Sequence, residues 1–168
     1  MTAAVLSGML VLGLAGCTQP EPAEPTPTTA FSSDEEAFAA AEKTYRAYVD
    51  AVNARRDDSA AIPEPTDFLI ADALEAEIDT ERLMSAEGLS IEGETLITGA
   101  RGVSWNDQSG ELVLIVCVDS SGTIVRDSSG ADVTPSSRPV MYALSVRFDR
   151  AADDFLVAST QQTADATC

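Results

Sequence analysis

Apolar and polar positions along the chain change their period twice, and the changes divide it into parts. From Ala3 to Gly16 the side chains are apolar or small, with Val5, Leu6, Met9, Leu10, Val11, Leu12 and Leu14 and no charge. That run is too short for a spanning helix and has the length of the apolar region of an export signal. Thr18 to Ser33 has no apolar period; Pro20, Pro22, Pro25 and Pro27 stand among Thr, Glu and Ala. Such a composition blocks helix and sheet and favours an extended, semi-rigid spacer. Phe38, Ala41, Tyr45, Tyr48, Val49 and Val52 then recur at helical spacing, which predicts a helix with one apolar stripe. Ser33 with Glu36 reads as a capping box, Asp34 to Glu36 suit the positive end of the dipole, and Arg55 and Arg56 the negative end. Pro63 and Pro65 break the chain. A second helical region follows with Leu69, Ile70, Ala73, Leu74, Ile78, Leu83 and Met84 as its apolar face and Gly88 as its stop. Thr80 is placed to cap a new start within it, dividing it into two shorter helices.

From Leu89 onward the period becomes two. Leu89 and Ile91 lead into a strand ending near Trp105, and Asn106 to Gly110 reads as a hairpin loop. Leu112 to Val118 is a continuous apolar run, the pattern of a central strand covered on both faces. Asp119 to Gly122 and Asp127 to Gly130 read as turns. Val140 to Phe148 alternates, and Phe155 to Ser159 makes a last strand. Helices first and antiparallel strands after predict an α+β domain: two to three N-terminal helices packed on a curved antiparallel sheet of about four strands.

Charge narrows the partners. The 168 residues carry 28 acidic and 10 basic side chains, a net charge of −18. Such a surface repels phosphate backbones, so nucleic acid is not an expected partner. It also opposes electrostatic docking on anionic lipid, so attachment to a membrane needs another agent. The apolar run supplies one. It closes in Leu14-Ala15-Gly16-Cys17, which resembles the lipobox of bacterial lipoproteins. That resemblance implies a signal peptide over residues 1–16, cleavage before Cys17, and diacylglycerol on the Cys17 thiol. Two acyl chains anchor stably where one does not. The expected address is the extracytoplasmic face of the cell membrane, with residues 17–33 as lipidated cysteine and tether and 34–168 as the domain. The leader departs from the usual pattern in one respect: the first basic residue is Lys43, which leaves open a basic segment upstream of Met1.

The chain as a whole resembles small actinobacterial lipoproteins whose domain is a cystatin-like cone of the nuclear transport factor 2-like kind. The resemblance is carried by Cys17, the Thr/Pro-rich tether, Cys117-Val118-Asp119 at the end of the central strand, and Cys168 at the C-terminus. It implies helices folded over a curved sheet. Enzymes of that superfamily, ketosteroid isomerase among them, use carboxylates and tyrosines inside the cone; no motif here carries their residues across.

The chemistry on offer is narrow. With no histidine in the chain, Ser-His-Asp and Cys-His catalysis and histidine metal sites are excluded. Tyr45, Tyr48 and Asp119 are the candidate pocket residues. A tyrosine stripe on a helix is usually core, and an aspartate after an apolar strand usually closes a turn. Asp127, Ser129 and Asp132 faintly resemble a calcium loop, but lack the downstream glutamate and read better as a β-turn. Trp105 reads as a core edge. No cofactor and no metal is implied. With Cys17 taken by lipid, Cys117 and Cys168 form an even pair in an oxidising compartment, which predicts a disulfide; the alternative is a buried free thiol and an exposed end. The expected function is that of a membrane-anchored, non-catalytic module binding a small molecule or a protein. The alternative is a small cone enzyme of isomerase, dehydratase or cyclase type using carboxylates.

Overall fold

The computed structural model describes residues 31–152, 154–164 and 168. The apolar run, Cys17 and the tether as far as residue 30 lie outside them. Helix α1 (Asp34–Asp57) starts where Ser33 Oγ accepts the backbone N–H of Glu36. The reciprocal half of the capping box shifts by one residue: the Glu36 carboxylate accepts from the N–H and hydroxyl of Ser32, at 2.7 and 2.6 Å. Ala37, Ala41, Tyr45 and Val49 form the buried stripe of α1. Phe31, expected in the tether, instead packs on the core, stacked on Phe155 and edge-on to Trp105.

After α1, Pro65–Phe68 forms a single 3-10 turn and helix α2 (Ala71–Glu87) follows. Leu69 and Ile70, expected at the start of that helix, are extended. The Ile70 N–H donates to Val157 O, and Leu69 bridges Val157 in parallel, so this pair covers part of a sheet edge. The α2 helix runs unbroken through Thr80 and ends at Gly88, whose φ of 63° suits glycine. Its burial is slight. Ala73 is the buried residue, and Leu83, expected on the apolar face, is 60% exposed.

The strands are β1 (Ser90–Glu92), β2 (Leu96–Asn106), β3 (Glu111–Asp119), β4 (Ile124–Arg126), β5 (Met141–Ala151) and β6 (Asp154–Thr163). Four of them make an antiparallel sheet in the order β2-β3-β5-β6, and β1 pairs with β4 in a separate two-stranded ladder. The single strand expected from Leu89 to Trp105 is therefore two. Gly93 breaks it at φ 83°, where a Cβ would collide with the carbonyl of Gly122. Bulges in β2 and between Arg147 and Phe148 interrupt the register, and bulges bend strands.

One face of the sheet meets α1. Leu112, Leu114, Val116 and Val118 of β3, Val146 and Phe148 of β5, and Phe155 and Val157 of β6 form the core with the α1 stripe. Gly102 lets β2 approach, since a side chain there would run into the Phe38 ring. Odd-numbered positions of β3 face the other way, and Cys117 is one of them. Its sulfur is bonded to that of Cys168, 51 residues on, with α-carbons 5.4 Å apart, inside the range a disulfide needs. Among the described residues no helix is long and apolar enough to cross a membrane. The domain is α+β, two helices on a four-stranded antiparallel sheet.

Candidate ligand site between the helices

The C-terminal half of α1 carries side chains that hold the β1–β2 connection and the start of β2 by their backbone. Arg46 Nη1 donates to Ile97 O at 2.9 Å, and Asn53 exchanges two bonds with Thr95, Nδ2 to Thr95 O at 2.8 Å and Thr95 N to Oδ1 at 3.0 Å. Arg56 Nη1 reaches Asn53 Oδ1, Gly93 O and Thr95 Oγ1 at 3.0 to 3.1 Å. These bonds fix the Arg56 guanidinium at the inner edge of a gap between α1 and α2.

The gap is a groove of about 520 Å³. Val52 and Arg56 line it from α1, Glu77, Glu81 and Met84 from α2, and Leu89 and Ile91 beyond. It exists because α2 is anchored through Ala73 near its start, while its later turns carry no buried residue. Volume and mixed lining fall within the ordinary range for small-molecule sites.

Polar groups converge at its inner end. Tyr48 Oη donates to Glu77 Oε2 at 3.0 Å. Burial raises the Glu77 carboxyl above its ordinary 4.5; the Tyr48 hydroxyl opposes that rise, the Glu81 charge adds to it, and Arg56 opposes it. Both tyrosine hydroxyls are pushed above their ordinary 10, first by burial; Tyr142 adds to this at Tyr45, and Glu77 at Tyr48. Arg56 is pushed downward by desolvation, with Tyr142, Tyr48 and Glu77 favouring its charge and Arg138 disfavouring it. Arg138 itself is held by neutral acceptors, Ser120 O, Thr123 O and Thr123 Oγ1, and its Nε is buried without a partner.

The structure thus brings Tyr45 and Tyr48 together, and joins to them Arg56, Glu77 and Tyr142. Tyr45 is core, its ring 5.8 Å from Tyr48 and 6.4 Å from Phe148. Asp119 stands elsewhere. It lies on the face of β3 opposite the helices, and its Oδ1 accepts the N–H of Ser121 at 2.8 Å, closing a turn. Ser121 holds its carboxyl below the ordinary range. Asp127 likewise accepts from Ser129 N, Ser129 Oγ and Ala131 N within its own turn. Glu77 had a sequence signal of its own: Ala73, Glu77, Thr80, Glu81 and Met84 recur at helical spacing, which puts a carboxylate on the side of α2 that carries the buried Ala73.

Glu77 gives a pH test. The folded state holds its proton more tightly than the unfolded chain, so the stability this group contributes is full below 4.5 and is lost as pH rises through the raised value. Glu77→Gln keeps an acceptor for Tyr48 and removes that loss. Urea denaturation at about pH 4 and about pH 7 should show the variant gaining on the parent protein at the higher pH. An unchanged difference would mean that Glu77 is as well solvated folded as unfolded.

No protein-family model matches the chain, and no curated protein matches its sequence. Among solved structures it is similar to the intermembrane space region of chloroplast protein ARC6, with a TM-score of 0.45 and 10% identity over 73% of this chain and 96% of that one. It is also similar to Aln2 from a Streptomyces species, with a TM-score of 0.46 and 11% identity over 77% of this chain and 90% of that one. Neither likeness carries an argument about this chain.

Proposed function

We propose that the chain is a lipoprotein of the cell envelope, anchored through lipid on Cys17, whose nuclear transport factor 2-like domain is a non-catalytic module that binds a small ligand between α1 and α2. The observation that carries this reading is the groove, whose mixed lining joins Val52, Met84, Leu89 and Ile91 to a hydrogen-bonded guanidinium and carboxylate, Arg56 and Glu77. Its placement supports the reading too. Helix α1 is 24 residues long, about 36 Å at 1.5 Å per residue. The tether joins near its first turn and the groove lies at its last turns, so an anchored domain presents the groove away from its attachment. The Cys117–Cys168 disulfide suits an oxidising compartment.

Two arms of one experiment test the proposal on the full chain in its host. Cys17→Ala should abolish incorporation of an alkyne fatty acid, and equal labelling would end the anchor reading. In a thermal-shift screen against small metabolites, Ser85→Trp, which fills the groove from an exposed position of α2, should erase the shifts seen with the parent chain. Shifts that survive it would move the site elsewhere.

One observation favours a second reading, the cone enzyme. Glu77 is a carboxylate raised above its ordinary range by burial, hydrogen-bonded to a buried tyrosine and lining a groove, and burial of this kind is one way a carboxylate is tuned towards general-base work. Glu77→Gln bears on this reading, since a base is lost with the carboxylate while the groove and an acceptor for Tyr48 remain.

A further inference from the structure

In a chain with so many acids, an arginine readily finds a carboxylate. Arg46, Arg55, Arg82, Arg126, Arg147 and Arg150 each lie within 4.0 Å of one. Among the described residues Arg56, Arg101 and Arg138 do not, and of these Arg56 is the half-buried one that lines the groove. Its Nη1 is taken up by three neutral acceptors, and among the described residues its Nε and Nη2 have none. Those two nitrogens form the edge of a guanidinium that matches a carboxylate with two parallel bonds. Glu77 and Glu81 sit one helical turn apart on α2, both line the groove, and among the described residues neither has an ion-pair partner. Arg56 and Glu77 are near enough to feel each other's charge and yet make no ion pair. Unlike charges therefore line one groove together with Val52, Met84, Leu89 and Ile91, and the other cation there, Arg55, is paired with Glu64.

We infer that the groove takes a small zwitterion with an apolar body, of the class of a free apolar amino acid: its carboxylate on the Nε–Nη2 edge of Arg56, its ammonium on Glu77 and Glu81, and its side chain along Met84, Leu89 and Ile91. A ligand of this kind offsets both unpaired charges at once. A plain anion would leave the two glutamates facing each other, and a plain cation would leave Arg56 unpaired in a half-buried position. Its apolar part then covers surface that the slight burial of α2 leaves open. This inference names the ligand class for the groove of the preceding section and rests on that reading.

The test is nuclear magnetic resonance titration of the full chain in detergent with L-leucine, with 4-methylpentanoate, which lacks the ammonium, with 3-methylbutylamine, which lacks the carboxylate, and with neutral 4-methylpentanamide. The amides of Val52, Met84 and Ile91 report on the groove. Leucine should bind at least about tenfold more tightly than any of the other three, in keeping with loss of a charged hydrogen bond. Glu81→Gln, at an exposed position, should narrow the gap between leucine and 4-methylpentanoate. Arg56→Lys, which keeps the charge and loses the parallel pair of bonds, should narrow that between leucine and the amine. If all four probes perturb the groove with equal affinity, the zwitterion is overturned and the groove stands. If none perturbs the three amides while the spectrum stays folded, both fall.

Discussion

Phe148→Ala should cost the domain about 4 kcal/mol, the usual loss for a large aromatic side chain deleted from a close-packed site. Phe148 is fully buried on β5, an inner strand of the sheet. It is opposite Leu112 on β3 and Val157 on β6, and edge-on to Tyr45 at 6.4 Å and Phe155 at 6.2 Å. These neighbours are β-branched, aromatic or fixed by strand pairing, so a cavity would persist and the aromatic contacts would go with it. Domains of this size are stable by roughly 5–15 kcal/mol, so the variant should unfold at a much lower urea concentration with an unchanged slope. Leu83→Ala is the control. Leu83 is apolar and helical too, but 60% exposed, and should change stability by less than about 0.5 kcal/mol. Similar losses for both would mean that α2 packs more deeply than its burial indicates.

The contrast between these residues shows where periodicity informs and where it fails. The α1 stripe is legible because 24 residues repeat one spacing and its cap, acidic first turn and basic last turn agree with it. The β3 run is legible because a strand paired on both sides needs apolar residues throughout. Leu83 and Leu69 mislead for opposite reasons. Leu83 has the spacing of a buried face, but α2 packs chiefly on β6 and its later turns carry no buried residue. Leu69 has helical neighbours, but the carbonyl of Val157 captures the next N–H, and the backbone follows the hydrogen bond. The ladder of β1 and β4 is three residues on each side, too short for any period, and Gly93 was the one mark of its separation from β2.

The residues that line the groove were not those the sequence singled out. Tyr45 and Tyr48 stood out as polar tips on an apolar stripe; Tyr45 is core, and Tyr48 meets the groove through its hydrogen bond to Glu77. Glu77 and Arg56 did not stand out, because acids and arginines are scattered over the whole sequence and only the approach of α2 to α1 selects these two. Asp119 shows the converse. Following a buried strand gives it an inward-looking context in the sequence, yet strand alternation turns it outward, and the Ser121 N–H completes its hydrogen bonding.

The cross-link between Cys117 and Cys168 should be worth about as much as Phe148, by a different route. Closing a segment of 51 residues removes conformational freedom from the unfolded chain equivalent to about 4 kcal/mol on the loop-entropy model. The two cysteines are not equivalent as probes of it. Cys117 lies on the central strand between Gly99 and Ala143, so Cys117→Ser also places a hydroxyl on a half-covered face. Cys168 is exposed at the chain end, so Cys168→Ser removes the cross-link with little else. Urea denaturation of Cys168→Ser should therefore match that of the parent chain under reducing agent, with both about 4 kcal/mol below the oxidised chain. Alkylation without prior reduction, read by mass spectrometry, should leave both residues unmodified in the parent. Because Cys117 points away from the helices, the groove between α1 and α2 should keep its ligand affinity when the bond is cut. A loss of binding in the absence of denaturant, at a temperature where Cys168→Ser remains folded, would tie the two faces of the sheet together, and two alkylated cysteines in the parent chain would refute the bond outright.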